Sequence, residues 1–122
     1  LLLELRDRDA PIAAPEAGAA PECVKASPEI YTSVYDDPRV RIIREAHTPG
    51  ARDAWHSHPE MAGYVVKGGL GKGFIPDEKD GREMDIPEGA GFVQGPVASH
   101  SFQNAGETPL EFILFELKTP QK

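Results

Sequence analysis

The sequence has little cysteine, a deficit of positive charge and no long apolar run, and each shortage excludes a class of structure or partner. With a single cysteine, Cys23, the chain cannot form an internal disulfide, so its fold does not depend on an oxidising compartment. The 13 Lys and Arg residues face 20 Asp and Glu residues, and the resulting net charge of −7 repels phosphate backbones and anionic lipid. Apolar runs such as 112–115 are far shorter than the roughly 18 residues of a membrane-spanning helix. We therefore expect neither a nucleic-acid partner nor a membrane segment.

The amino-terminal region differs in composition from the rest of the chain. It opens on Leu1-Leu2-Leu3, which charged residues follow at once, whereas a secretory signal needs roughly 7–15 consecutive apolar residues. The sequence therefore does not choose the compartment. It is the cytoplasm, or the periplasm if Leu1 marks a processed terminus. Residues up to 28 are rich in Pro and Ala without a helical or strand period, which predicts an extended arm over 1–28. We expect one domain over 29–118 and a short tail over 119–122.

Beyond the arm, short runs of β-type residues alternate with turn signals such as Asp80-Gly81 and Pro87-Glu88-Gly89. The 12 Gly and 12 Pro of the chain oppose a long helix. The predicted fold class is all-β, an antiparallel double-sheet jelly-roll barrel, which buries its strand edges. The nine predicted strands are Ile30–Tyr35, Val40–Ala46, Ala54–His58, Tyr64–Lys67, Gly71–Ile75, Arg82–Ile86, Gly91–Gln94, His100–Asn104 and Leu110–Leu117.

Two of the four histidines are separated by one residue, in the run Ala54-Trp55-His56-Ser57-His58. On a strand this spacing puts both imidazoles on one face. Neutral imidazole nitrogens are good ligands for divalent Zn, Fe, Ni, Cu or Mn, and a third histidine from a facing strand completes a facial set of three. His100 is the strongest candidate for that third ligand. Without further context, a polar outer face explains such a pair equally well.

Glycines and an asparagine surround these histidines at regular spacings, with five residues between Gly50 and His56 and three residues between His100 and Asn104. The arrangement resembles the two motifs of the cupin superfamily, although the proline of the second motif is shifted by one, to Pro96. The resemblance covers roughly 40–117 and is closest to small, single-domain bacterial cupins. It implies one divalent transition metal bound by the three histidines. The matching positions are Gly50, His56, His58, Gly68, Gly89, His100 and Asn104.

The glutamate of the first cupin motif does not carry over cleanly. Its position holds Met61, and Glu60 stands one place earlier because the loop after the histidine pair is one residue short. Met61 offers a soft thioether, a ligand that suits Cu(I), but we favour its packing as a flexible core side chain. Two alternatives stay open: Glu60 supplies a fourth ligand, or the site holds three histidines and Glu60 acts as a catalytic base. We favour the three-histidine site, and we expect Tyr64 to present its hydroxyl to the cavity.

Other polar and aromatic residues are first interpreted as structural. His47 lies at a predicted strand end and is expected to be solvated, and Asn104 to cap a turn. Cys23 lies in the arm, away from both motifs, so the sequence offers no support for a nucleophilic role. Trp55, Phe92 and Phe102 are expected in the core or in a pocket wall.

The resemblance implies a metal-dependent enzyme that acts on a small organic substrate, and we favour a non-haem oxidoreductase of the dioxygenase type. A metal-assisted isomerase or lyase is the first alternative, and a non-catalytic small-molecule-binding module is the second. The identity of the metal, among Fe, Mn, Ni, Zn and Cu, stays open. Exposed sheet edges and the apolar start of the chain also predict a homodimer.

Overall fold

The computed structural model describes residues 19–118, which form two facing antiparallel sheets. The predicted all-β jelly-roll barrel is confirmed, and each of the nine predicted runs is a strand. The elements are α1 (Cys23–Ala26), β1 (Tyr31–Asp36), β2 (Val40–His47), β3 (His56–His58), β4 (Met61–Lys67), β5 (Gly69–Ile75), β6 (Glu78–Ile86), β7 (Gly91–Gln94), β8 (Val97–Asn104) and β9 (Leu110–Leu117).

One sheet has five strands in the order β1-β2-β9-β4-β7, and the other has four in the order β3-β8-β5-β6. The core lies between them because every second residue of the central strands turns inward. In β9 the inward positions Leu110, Phe112 and Leu114 are buried, and their neighbours are less so. This alternation is the period-2 pattern of a strand with one face in a core. Glu116 occupies the next inward position of the same strand and is also buried.

Two glycines make room for aromatic rings inside the barrel. A Cβ on Gly63 would lie 2.2 Å from the Phe92 ring, and one on Gly71 would lie 2.4 Å from the Phe102 ring. Any larger residue would displace these rings, and both rings pack against Phe112 edge-on. Phe92 and Phe102 therefore lie inside the barrel, as the sequence predicted.

Most of the predicted arm, residues 1–18, and the predicted tail, 119–122, lie outside the described residues. The described end of the arm is not extended throughout, because it contains the helical turn α1. Glu22 caps this turn by accepting hydrogen bonds from the backbone N–H groups of Val24 and Lys25. The turn packs on the barrel, where Cys23 is completely buried and the backbone N–H of Ser57 in β3 donates to the Pro21 carbonyl.

Within residues 19–118, no helix is long and apolar enough to cross a membrane. The predicted homodimer stays a prediction, because it concerns a second chain. Light scattering of the chain with and without residues 1–28 tests it.

Candidate metal centre

Three histidines meet inside the barrel, two from β3 and one from β8. His56 and His100 are register partners in the four-stranded sheet, and His58 follows two residues after His56. The ring centroids lie 4.5 Å apart for His56 and His100, 4.7 Å for His56 and His58, and 5.0 Å for His58 and His100. One ring nitrogen of each lies within 4.8 Å of the other two. We call His56, His58 and His100 the histidine cluster.

In two of the three histidines, the nitrogen on the far side of the ring has its own hydrogen-bond acceptor. Nδ1 of His58 donates to Oε2 of Glu116 at 2.8 Å. Nδ1 of His56 donates to the Ala54 carbonyl at 2.8 Å, and burial lowers the pKa of His56. With the proton on Nδ1, a neutral imidazole carries its free lone pair on Nε2. These contacts therefore leave Nε2 of both rings available to a metal.

A nearby tyrosine does not occupy the lone pair of His56. The hydroxyl oxygen of Tyr31 lies 3.3 Å from Nε2 of His56. It also lies 2.6 Å from Oδ2 of Asp53. A phenol has only one proton to donate, and the shorter contact with a carboxylate takes it. Nε2 of His56 therefore has no competing donor from this side chain.

The third histidine gives the clearest sign of a missing ligand. Nε2 of His100 is buried and has no hydrogen-bond partner among the described residues. Burial, followed by the neighbouring His56 and His58, lowers the pKa of His100 to about 3, so this ring is neutral at ordinary pH. A buried nitrogen without a partner is costly unless something binds it. Three neutral imidazole nitrogens fit a divalent transition metal, and the histidine cluster provides that set.

The histidine cluster borders a cavity of about 660 Å³ that opens between the two sheets. This volume lies within the range of small-molecule sites. His58 and His100 line its polar end, together with Tyr31 and Glu45. The rest of its wall is mainly apolar and includes Met61, Val65, Phe74, Ile86, Phe92, Phe102, Phe112 and Leu114.

Several solved structures with this architecture are cupins. A cupin domain from Bordetella pertussis Tohama I superposes with a TM-score of 0.67 at 21% identity, over 73% of this chain and 92% of that chain. An RmlC-like cupin family protein with a double-stranded β-helix fold from Methanocaldococcus jannaschii gives 0.60 at 16% identity, over 75% and 81%. The chain has the cupin fold. Neither a family model nor a curated protein matches this sequence.

A third similar structure is the cupin domain of an XRE family transcriptional regulator from Enterobacter cloacae. It superposes with a TM-score of 0.55 at 17% identity, over 75% of this chain and 97% of that chain. At such identities the likeness defines the cupin fold and not the chemistry, so the site of this chain has to be argued from its own residues.

Behind the histidine cluster, Glu116 holds His58 in place. Its other oxygen, Oε1, accepts a hydrogen bond from the Arg41 guanidinium at 2.7 Å, and Arg41 also binds Glu22 at 2.5 Å. Burial alone would raise the pKa of Glu116, but the His58 hydrogen bond and Arg41 outweigh it, so the pKa lies below its usual range. Glu116 therefore stays ionised and fixes the tautomer of His58.

Cys23 lies beside this group. Its Sγ is 3.7 Å from Oε2 of Glu116. The prediction that this residue lies away from both motifs is wrong, because α1 packs against β3 and places the thiol behind His58. Burial, followed by the charge of Glu116, raises the pKa of the Cys23 thiol, so it stays protonated. A nucleophilic thiolate is therefore not available there.

A second buried group lies next to the histidine cluster and consists of Glu45, His47 and Asp53, which we call the carboxylate cluster. Nε2 of His47 lies 2.5 Å from Oε2 of Glu45 and 3.9 Å from Oδ2 of Asp53. Nδ1 of His47 lies 3.2 Å from the Ala51 carbonyl. The prediction that His47 is solvated is wrong, because it continues the inward side of β2 and is fully buried.

The pKa values of the carboxylate cluster reflect burial and mutual charge. Burial works to lower the pKa of His47, but the hydrogen bond to Glu45 and the charges of Glu45 and Asp53 raise it overall. Burial raises the pKa of Asp53. Tyr31 joins the two clusters, since its hydroxyl lies 3.1 Å from Glu45 and 3.3 Å from Nε2 of His56.

The two residues predicted as catalytic lie elsewhere. Glu60 sits in the short link between β3 and β4, where its backbone carbonyl accepts a hydrogen bond from the Leu117 N–H. Tyr64 is half-buried and lies on the opposite side of β4 from the buried Met61 and Val65. Among the described residues, neither Glu60 nor Tyr64 lines the cavity or joins the histidine cluster.

Three further residues that the sequence singled out can also be located in the structure. Met61 is buried in the cavity wall, as predicted for a core side chain. Asn104 caps a turn: its Oδ1 accepts from the Gly106 N–H at 2.9 Å, and its Nδ2 donates to the Thr108 carbonyl at 2.8 Å. Trp55 lines an outer groove beside Arg52 and not the cavity.

Sequence reasoning missed Glu116 and Tyr31. Glu116 had a usable signal, because it continues the inward positions of an apolar alternating strand and a carboxylate there needs a buried partner. Tyr31 had none, since a tyrosine at the start of a strand is compatible with either face.

Proposed function

We propose that this cupin is a metal-dependent enzyme that acts on a small organic substrate, as a non-haem oxidoreductase of the dioxygenase type. The observation that carries the proposal is the convergence of one ring nitrogen from each of three histidines at the polar end of an apolar cavity, with Nε2 of His100 buried and without a partner among the described residues. A structural role needs no such arrangement, because structural buried polar atoms have partners.

His56, His58 and His100 would hold the metal, with Fe, Mn, Ni, Zn and Cu as the candidates. A bound divalent metal would supply a Lewis acid with open coordination positions. Glu116 and the Ala54 carbonyl keep the Nδ1 protons of His58 and His56 on the far sides of the rings. These hydrogen bonds orient the ligating nitrogens before the metal arrives.

The other residues around the cavity shape its chemistry. The apolar walls lower the local dielectric around the polar end, which would strengthen electrostatic interactions there. The Tyr31 hydroxyl borders the same end and keeps its proton directed at Asp53. Burial, followed by Glu45 and Asp53, raises the pKa of Tyr31, so it offers a protonated phenol beside the histidines.

Two alternative functions would use the same histidine cluster and cavity. A metal-assisted isomerase or lyase uses only the Lewis acid and consumes no oxygen. A binding module without turnover is the other, and one similar fold is the cupin domain of a transcriptional regulator. Fold alone does not separate enzymes from binding modules.

Metal analysis of the purified chain, followed by reconstitution with each of the five metals, tests the proposal. Oxygen uptake is then measured against a panel of diketones, thiols and phenols. The proposal expects one metal per chain and oxygen uptake with at least one substrate class. Conversion without oxygen uptake supports the isomerase or lyase, and saturable binding without conversion supports the module.

His47→Gln is the matched control for His100→Ala, because both residues are histidines inside the barrel and only His100 belongs to the histidine cluster. Metal loading lost in His100→Ala and kept in His47→Gln is the expected pattern. Full loading in both variants would overturn the metal assignment.

A further inference from the structure

Two side-chain nitrogen atoms are buried without a hydrogen-bond partner in the described part of the chain: Nε2 of His100 and Nε2 of Gln94. The first belongs to the histidine cluster. The second has no role in the structure described so far. An amide N–H group removed from water without an acceptor is unfavourable, so a buried orphan donor calls for a ligand.

The strand pattern places Gln94 inside the barrel. It ends β7, an edge strand of the five-stranded sheet, and its register partner is Met61 on β4. Its neighbour Val93 is 85% exposed and points outward. Because side chains alternate along a strand, Gln94 and Phe92 point inward. Both line the same cavity as His58 and His100.

The charges around the cavity indicate what this amide would bind. Arg82 is the one lysine or arginine of the described chain that lines the cavity, and it is paired with Glu78 at 2.7 Å near the rim. Glu45, at the polar end, is bound by His47. Away from the histidine cluster, where the proposed metal would bind, an anionic group would therefore meet apolar walls and no free cation among the described residues, which is unfavourable. A neutral acceptor oxygen could accept a hydrogen bond from the neutral Gln94 amide without the unfavourable burial of a charge.

We propose that Gln94 is a specificity-determining residue, whose Nε2 donates a hydrogen bond to the carbonyl oxygen of a neutral, otherwise apolar substrate. The inference rests on the proposed function, because it names the substrate class of that site. It places the recognised oxygen on the β7 wall and the body of the substrate against Phe92 and the other apolar side chains.

The test compares acetophenone with α-methylstyrene, which has nearly the same shape but carries CH₂ in place of the carbonyl oxygen. Dissociation constants are measured by NMR titration of the full chain after chelator treatment, so that metal binding does not enter. The ratio of the two constants is compared between the wild type and Gln94→Leu. Losing one neutral hydrogen bond should shift this ratio about fivefold against the ketone.

Val93→Leu is the matched control, because it lies on the same strand and points outward; its ratio should equal that of the wild type. A second measurement needs no variant: the side-chain NH₂ resonances of Gln94 should shift with acetophenone and not with α-methylstyrene. Benzoate should bind more weakly than acetophenone.

An unchanged ratio in Gln94→Leu, an unmoved Gln94 amide, or no binding of acetophenone would overturn the inference. Failure of the histidine cluster to bind metal, with the ketone preference intact, would overturn the proposed function and leave the recognition by Gln94 standing. The two failures are therefore distinguishable.

Discussion

The histidine cluster and the carboxylate cluster lie side by side, and both contact Tyr31. Most of their side chains are buried. They differ in whether every histidine ring nitrogen has a hydrogen-bond partner. His47 has a carboxylate on one ring nitrogen and a carbonyl on the other. His100 has a buried nitrogen with no partner in the described structure. The first arrangement has a partner for both ring nitrogens, and the second leaves one ring nitrogen available to a ligand.

This difference shows that burial of a histidine does not by itself mark a binding site. A buried imidazole between acceptors is held as a protonated structural group, because the surrounding charges raise its pKa, as for His47. A buried imidazole among other imidazoles has its pKa lowered and keeps a free lone pair, as for His100. The two roles therefore differ in whether both ring nitrogens of the histidine have hydrogen-bond partners.

The largest effect is expected on metal loading. His58→Ala removes one of the three nitrogens that we propose as ligands and should abolish stoichiometric metal loading of the chain, measured by elemental analysis after dialysis. His47→Gln, in the neighbouring cluster, should load normally. Unchanged metal affinity in His58→Ala would show that the histidine cluster is not the site.

The next effect concerns the carboxylate that orients His58. Glu116→Gln keeps the size of the side chain but loses the charge that fixes the Nδ1 proton, so metal affinity should fall by about 10–100-fold. Competition with a chelating dye measures this. Glu111→Gln is the control on the same strand, where Glu111 pairs with Arg44 at 3.0 Å away from the cluster. Equal metal affinities in both variants would show that Glu116 does not contribute to the site.

The carboxylate cluster should instead control stability and its pH dependence. The pKa of His47 is raised above 6.5 in the folded chain. Its protonated form therefore stabilises the fold fully below pH 6.5, and this contribution is lost as the pH rises through the higher folded pKa. Relative to the wild type, His47→Gln should lower the free energy of unfolding by about 1–3 kcal/mol at pH 5.5.

Urea unfolding at pH 5.5 and pH 9 measures this difference, which should shrink at the higher pH. The charges that face His47 are those of Glu45 and Asp53, with the Ala51 carbonyl and the Phe102 ring completing its surroundings. A difference that grows with pH would contradict a protonated structural histidine.

The smallest effects are expected at the position where the cupin motif has a glutamate. Met61→Leu should leave metal affinity unchanged and cost less than about 1.5 kcal/mol of stability, because the volumes are similar. Glu60→Gln should also leave metal affinity unchanged, since its side chain lies outside the histidine cluster. Titration of both variants at one pH measures this. Metal lost in Met61→Leu but kept in Glu60→Gln would make the methionine a ligand.

Much of the fold was predictable from local patterns. The nine strands follow from short β-type runs between Gly and Pro turns, and β4, β5, β6 and β8 differ from prediction mainly by starting earlier. These extra residues gain their ladder partners only in the sheet. The turn α1 was missed because four residues carry no helical period, and its stability comes from the buried Cys23 and the Glu22 cap.

The candidate site was predictable only in part. The three histidines come from a short motif and its spacing, and the structure brings them together. Glu60 and Tyr64 were chosen because of their proximity in sequence, but the break after β3 and the alternation of β4 take them away from the cavity. His47 was misjudged because its burial depends on β2 pairing with β9 along its whole length.

The sequence by itself determined the strands, the inward and outward faces of the longer ones, and the histidine pair, because these depend on neighbours one or two residues away. Only the tertiary structure decided which nitrogen of each histidine is free. That depends on partners far along the chain: Glu116 is 58 residues from His58, and Tyr31 is 25 residues from His56. A hydrogen bond forms only when folding brings donor and acceptor within about 3 Å, so sheet pairing decides which ring nitrogens keep a free lone pair.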